Sequence, residues 1–488
     1  MTSRRILAVW SLVVVAASQW LPSAFAASPG AATPVNTKTS TAADRKEVAV
    51  TVYSGGFGLV REVRDVDVGS GRVSLELRDV TSQIQPETVA MHSLGGAHLG
   101  VLEQDYRYDL LTPQKLLEKY VGRKVRVYRY SERLGKDDVV DADVLSVAGN
   151  QTVLRVNGEV TYDYPGRFAF PEVPANLIPK PTLVWLLDSG AAKQVIEVTY
   201  LTRGFGWHAD YVLVLNDTDT AGDLTGWVTL SNTSGAAFEN AKLKLVAGNV
   251  QRAAERAGTN IALLSGTASA PVAAQTPQFL EQGFFEYHLY TLQRPTTLLD
   301  NEQKQVMLLD APGVRTRKRL VFAGQQFFYA NKGAGSSDDQ KASVYLEIEN
   351  KDDNHMGMPL PRGTVHVYKA DKSGARQLVG EDTIDHTPRD ERVKIKLGDA
   401  FDVVASRKQT AWQTLGKCRA ESEWEISVRN HKDTIEEVED TEPLGGEWEV
   451  VSETMPHTKK DATAITYTVK VPARGESVIR YRVRVTWC

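Results

Sequence analysis

The sequence predicts a mainly β protein. The expected architecture is a set of antiparallel β-sandwiches, with a small helix-capped barrel of SH3 or Sm type in the N-terminal half. Three observations carry this. Short runs rich in valine, threonine and aromatics alternate apolar and polar residues with period two, as in Val48, Val50, Val52 and again in Val73, Leu75, Leu77. Turn residues punctuate the runs, Gly69-Ser70-Gly71 and Asn157-Gly158 among them. One segment, after Thr112, carries clear helix-start signals. The 488 residues are 42% hydrophobic and 24% charged, an ordinary globular balance with enough chain for several cores. A net charge of −4 supplies no basic footprint, so nucleic acid is not an expected partner.

The N-terminus reads as an address. Arg4 and Arg5 precede the apolar run Ile6 to Ala17, and Ala24-Phe25-Ala26 places small residues at −3 and −1 of a cleavage site. Residues 1–26 are therefore expected to be a signal peptide, cleaved after Ala26 by general secretion rather than the twin-arginine route. The mature chain is expected to be periplasmic or secreted, with no transmembrane anchor. Residues 27–43, rich in Ala, Ser, Thr and Pro, read as a flexible linker.

Residues 44–111 form an N-terminal β region. Gly55-Gly56-Phe57-Gly58 lies between strands and reads as a hairpin, because a phosphate-cradling loop needs a helix after it. Residues 112–172 are the barrel-like part. Thr112 is the expected N-cap with Pro113 at the first helical position, and a strand meander follows, turning at Asn157-Gly158. Pro171, Pro174, Pro179 and Pro181 mark a boundary. A second β domain spans 180–330, with a mobile insertion at 251–278 and paired strands expected on either side of Pro295. The last part, 342–488, contains seven short strands and suggests an immunoglobulin-like sandwich.

In an oxidising compartment Cys418 and Cys488 are either a bridge or two unpaired thiols. One precedes a strand and the other ends one, so antiparallel neighbours would bring them together. Arg480, Arg482 and Arg484 share one strand face. They are read as cross-strand partners of acids such as Glu423 and Glu425, with Glu436, Glu437, Glu439, Asp440 and Glu442 also near in sequence.

The segment Tyr200-Leu-Thr-Arg-Gly-Phe-Gly-Trp-His-Ala-Asp-Tyr211 resembles the DUF4139 family. Asp223-Leu-Thr-Gly-Trp-Val-Thr-Leu-Ser-Asn232, Glu239 to Gly248, Glu286 to Thr296, Gly357 to Gly363, Asp385-His-Thr-Pro388 and Leu397 to Asp402 extend the likeness over about residues 180–488. The resemblance implies an exported β-rich protein and assigns no activity. Some relatives carry an N-terminal coiled coil, and no such heptad run occurs here.

No GxSxG, HExxH, P-loop or paired CxxC signature is present. No catalytic, cofactor or metal residue is therefore expected. The candidates that remain are two His/carboxylate pairs. His208 and Asp210 are two apart on a strand and so share a face, opposite Trp207, Ala209 and Tyr211. Asp385 and His386 are adjacent and point to opposite faces. The leading expectation is a non-enzymatic interaction or structural module of the envelope, with an envelope protein or polymer as partner. A hydrolase using one of these pairs and a carbohydrate-binding protein are the alternatives.

Overall fold

The computed structural model describes residues 36–132, 135–149, 151–252 and 278–488. The signal peptide, the linker up to residue 35 and all but the ends of the expected insertion 251–278 lie outside the described residues. Strands dominate and lie in four sheets. A four-stranded sheet has the order Asn36–Ser40, Gly71–Arg78, Thr182–Ser189, Leu99–Arg107. An eight-stranded sheet runs Phe279–Phe284, Tyr287–Leu292, Phe238–Ala247, Arg45–Tyr53, Phe57–Asp67, Lys193–Arg203, Ala90–Ser93, with Thr296–Leu298 joined at the side. The inward residues of both, such as Val50, Val60, Leu75, Trp185 and Tyr200, fill a single core. The period-two expectation holds here because most of these strands bury one face.

Several expectations change. Residues 36–40 are not linker: Asn36–Ser40 runs parallel to Gly71–Arg78, from Asn36 opposite Val73 to Ser40 opposite Leu77. The next turn closes with a capping box, in which Thr41 accepts from Ala43 N and Asp44 accepts from Thr41 N at 2.8 Å. Nor are the sheets wholly antiparallel. Four parallel pairings tie distant segments together, including Lys242–Val246 with Ala49–Tyr53 and Ala209–Leu215 with Gly363–Lys369. Strands also pair across the expected divisions at 111/180 and 330/342, Phe57–Asp67 along its length with Lys193–Arg203 and Thr316–Val321 with Ser343–Ile348. The strands around Pro295 also find other partners: Tyr287–Leu292 pairs with Phe238–Ala247, and Glu302–Ala323 with Ala221–Asn232.

Between Leu99–Arg107 and Thr182–Ser189, which pair with each other, the chain inserts a five-stranded sheet. Its helix Pro113–Lys119 begins as expected, with Thr112 Oγ1 accepting from Lys115 N at 3.2 Å. Asn157 and Gly158 both take positive φ in the hairpin turn. The sheet is open rather than a closed barrel. Its edges are Glu159–Tyr162 and Arg167–Ala169, four and three residues long, and they pair with their inner neighbours alone.

The thirteen-stranded sheet continues through two cores. Glu302–Ala323 places Val306 and Val314 in the first core, and Leu320 and Phe322 in the second. Arg392–Gly416 likewise carries Val393 and Ile395 in the first core and Val403 and Ala405 in the second. The C-terminal core is closed by Glu436–Pro443 and Ala464–Val471. The arginine stripe pairs with Glu423 and Glu425 as expected, and the five acids at 436–442 pair elsewhere. Arg480, Arg482 and Arg484 meet Glu425, Glu423 and Glu421 at 2.7, 3.0 and 2.9 Å. Asp440 and Glu442, however, are fully buried around Arg407, and Glu439 pairs with Arg319.

Candidate functional site

His208 and Asp210 leave the strand Phe205–Leu215 on its outer face, while Trp207, Ala209 and Tyr211 are buried beneath. His208 Nε2 lies 3.2 Å from Asp210 Oδ2, which also accepts from Thr229 Oγ1 at 2.8 Å. Gln305 Nε2 donates to Thr229 Oγ1 at 3.2 Å, extending the line onto a third strand. The hydrogen bond to Asp210 raises the His208 pKa against the opposing effect of burial. Burial pushes the Asp210 carboxyl up, but the bonds from His208 and Thr229 outweigh it and hold the group below its ordinary value. The pair therefore favours imidazolium–carboxylate, an arrangement that orients charge rather than a free general base. The His208 side chain is 59% exposed, on an open sheet.

The fold brings Asp385 and His386 to the same part of this sheet. Ile384 lies opposite Gly363, which lies opposite Ala209, so the two candidate pairs are two strands apart, or roughly 10 Å. They do not form one constellation. Asp385 is 95% exposed and approaches Arg362 Nε at 3.9 Å, while His386 Nδ1 accepts from Arg362 N at 3.0 Å. Burial lowers the His386 pKa and the Arg362 charge lowers it further, against Asp385. Among the described residues no group of three or more His, Cys, Asp or Glu side chains could hold a metal ion.

Concavity lies elsewhere. A cleft of about 760 Å³ opens where Arg45–Tyr53 and Phe238–Ala247 part, their parallel ladder starting only at Ala49 and Lys242. Arg45, Lys46, Asp79, Lys180, Glu239 and Asp300 give it a rim of mixed charge, and Val48, Val80, Leu110 and Pro179 give it apolar wall. Behind it Arg45 bonds Glu62 at 3.0 Å, and Glu62 holds the fully buried Arg64. Lys180 pairs with Asp79, which also accepts from Ala42 N at 3.1 Å. Burial raises the Asp79 pKa, but the Lys180 and Ala42 contacts outweigh this and hold it low. Elsewhere, a second pocket of about 220 Å³ sets Leu215, Leu346, Val379 and Leu397 against Lys318 and Lys369, both paired to Asp219.

Residues 196–488 match the family model DUF4139, a domain of unknown function. The chain belongs to the DUF4139 family. No curated protein matches it. The DUF4139 match begins inside the strand Lys193–Arg203 and takes in most of the first core and all of the second. Both His/carboxylate pairs fall within it. The cleft straddles its border, with Arg45, Asp79 and Lys180 outside and Ala236 to Asn240 inside. Sequence reasoning missed the cleft because its walls come from separate segments, around residues 42–48, 79–82, 110, 179–181, 235–240 and 300. The one local signal was the charged run Arg45-Lys46-Glu47 at a strand start.

Replacing Asp210 with asparagine removes the principal cause of the raised His208 pKa. The sign follows from linkage. Stability contributed by a raised histidine is complete below the unfolded value and is lost as pH rises through the folded one. Asp210→Asn is expected to move the His208 titration, followed by NMR of the imidazole protons, to lower pH. An unmoved titration refutes the pairing.

Proposed function

We propose that this DUF4139 protein is an exported, non-enzymatic interaction module of the cell envelope. It works in the periplasm or outside the cell, after cleavage behind Ala26. The observation that carries the reading is the 760 Å³ cleft, whose rim offers both charge signs and whose walls are partly apolar. Such a lining suits a polypeptide segment, which presents carbonyls, amides and side chains of either charge along one extended line. An envelope polymer is the other partner of this kind. Export is supported by the bridge between Cys418 and Cys488, since a bond of this kind persists in oxidising compartments.

A second reading, hydrolysis, draws on the line His208–Asp210–Thr229. It is the weaker one, because catalysis gains from water exclusion and convergent groups, and His208 faces solvent. A carbohydrate ligand would find no aromatic platform among the cleft-lining residues. A photo-crosslinking residue placed at Glu239 in the cleft, with Arg155 on the inserted sheet as control, tests the proposal in envelope extract. A specific polypeptide adduct at 239 and none at 155 is expected. Equal labelling at both positions, or substrate turnover abolished by His208→Ala, would overturn it.

A further inference from the structure

The strand Phe279–Phe284 ends the eight-stranded sheet and, among the described residues, pairs on one side only, with Tyr287–Leu292. Natural sheets blunt such edges with lysine, proline, a bulge or a covering segment. This strand reads Phe-Leu-Glu-Gln-Gly-Phe, and its one charge, Glu281, is turned inward to His288 Nδ1 at 2.8 Å. Leu280 and Phe284 lie on the same face and are 58% and 51% exposed. Edge strands of two other sheets differ. Asn36–Ser40 carries Lys38, and Glu447–Glu453 carries Glu447, Glu449 and Glu453.

The backbone of this edge has a definite polarity. Gln293 N donates to Gln278 O at 2.9 Å, one step beyond the ladder in which Phe279 opposes Leu292. Antiparallel pairs alternate between bonded and non-bonded, so the even-numbered residues bond to Tyr287–Leu292. The N–H and C=O groups of Phe279, Glu281 and Gly283 therefore point to the free edge.

A two-fold axis normal to the sheet pairs residues of like parity, because opposed side chains must share a face. Centring that axis on Glu281 would set two carboxylates opposite each other. Centring it on Gln282 gives a self-complementary strand. Glu281 then exchanges both hydrogen bonds with Gly283 of the second copy, and a side chain at Gly283 would have nothing within 4 Å, so the site is open. Leu280 falls opposite Phe284 of the second copy, twice, in the non-bonded pairs where Cα atoms approach to about 4.5 Å. We infer that Phe279–Phe284 pairs antiparallel with the same strand of a second copy of this chain, in register about Gln282. The resulting two-fold dimer runs one continuous sheet through both copies and covers Leu280 and Phe284.

The purified chain is expected to sediment as a dimer at about 100 µM, where an interface of even micromolar affinity is filled. Phe284→Lys, on the solvent face of a hairpin, is expected to give a monomer with an unchanged far-ultraviolet spectrum. Gln282→Cys places two thiols across the axis within disulfide reach, and mild oxidation should trap a covalent dimer. Leu280→Cys faces a phenylalanine instead and should crosslink at least about tenfold less. A monomer at that concentration, or equal crosslinking at 280 and 282, would overturn the inference.

Discussion

Replacing Arg407 with methionine is expected to cost the C-terminal core about 3–5 kcal/mol, the penalty for leaving a buried charge without its partner. Arg407 is buried between two fully buried acids, 3.2 Å from Asp440 Oδ1 and in contact with Glu442. Its guanidinium lies over the Phe328 ring at 5.7 Å. Tyr329 donates to Glu442 and its hydroxyl lies 2.7 Å from that of Tyr481. Burial drives the Asp440 carboxyl well above its ordinary pKa, the charge of Glu442 adds to this, and Arg407 opposes it. Two acids thus face one guanidinium, and the raised Asp440 pKa favours its neutral form in this set. Methionine removes the only cation from this set and strands Glu442 among apolar groups and two hydroxyls.

The pH dependence of the same cluster has a fixed sign. Asp440 binds its proton more tightly folded than unfolded, so stability falls as pH rises from the unfolded value, about 3.9, toward the raised folded one. Asp440→Asn is expected to flatten that slope while leaving the fold intact. Tryptophan fluorescence, to which the fully buried Trp424 (ring centroid 5.5 Å from that of Tyr329) contributes, follows denaturant titrations between pH 4 and 8. Equal midpoints for Arg407→Met and the unaltered chain would refute the balance described here.

The fold class was legible because most strands bury alternate residues, a pattern that survives without tertiary information. What was lost was lost for local physical reasons. In Phe57–Asp67 the inward residues include Val60, Glu62, Arg64 and Val66, so two charges hide on an apolar face. Val63 is buried on the opposite face, so the apolar residues of this strand do not keep one parity. Asn36–Ser40 has the composition of a linker because an edge strand at the surface needs little apolar side chain, and only Ser40 is buried. The long strands were broken into pieces by irregularities. Gly313 and Gly398 have positive φ, and pairing slips at Ser343 and Tyr345. The His208–Asp210 contact followed from spacing alone, whereas Arg362, which contacts both Asp385 and His386, comes from just before the strand Gly363–Ala370.

The cysteine pair was the most readable long-range contact, and removing it should have the second large effect. Cys418 and Cys488 are bridged with Cα atoms 5.6 Å apart. Arg419 stands opposite Thr486 in the same strand pair, and Trp487 N donates to Cys418 O at 3.0 Å. The strands thus bring the two cysteines together without the bond, and the bond acts chiefly on the unfolded chain. A loop of 70 residues closed in the unfolded state corresponds to about 4 kcal/mol in the chain-entropy model. Replacing both cysteines with serine is expected to lower the stability reported by tryptophan fluorescence by that order, and reduction of the unaltered chain should reproduce the shift. The native near-ultraviolet spectrum should persist in both cases below the transition, because Ile426, Tyr481 and Val483 still hold the strand pair in the core. A midpoint insensitive to reductant would mean that the last strand frays independently of this core, and that the bridge fastens only the chain end.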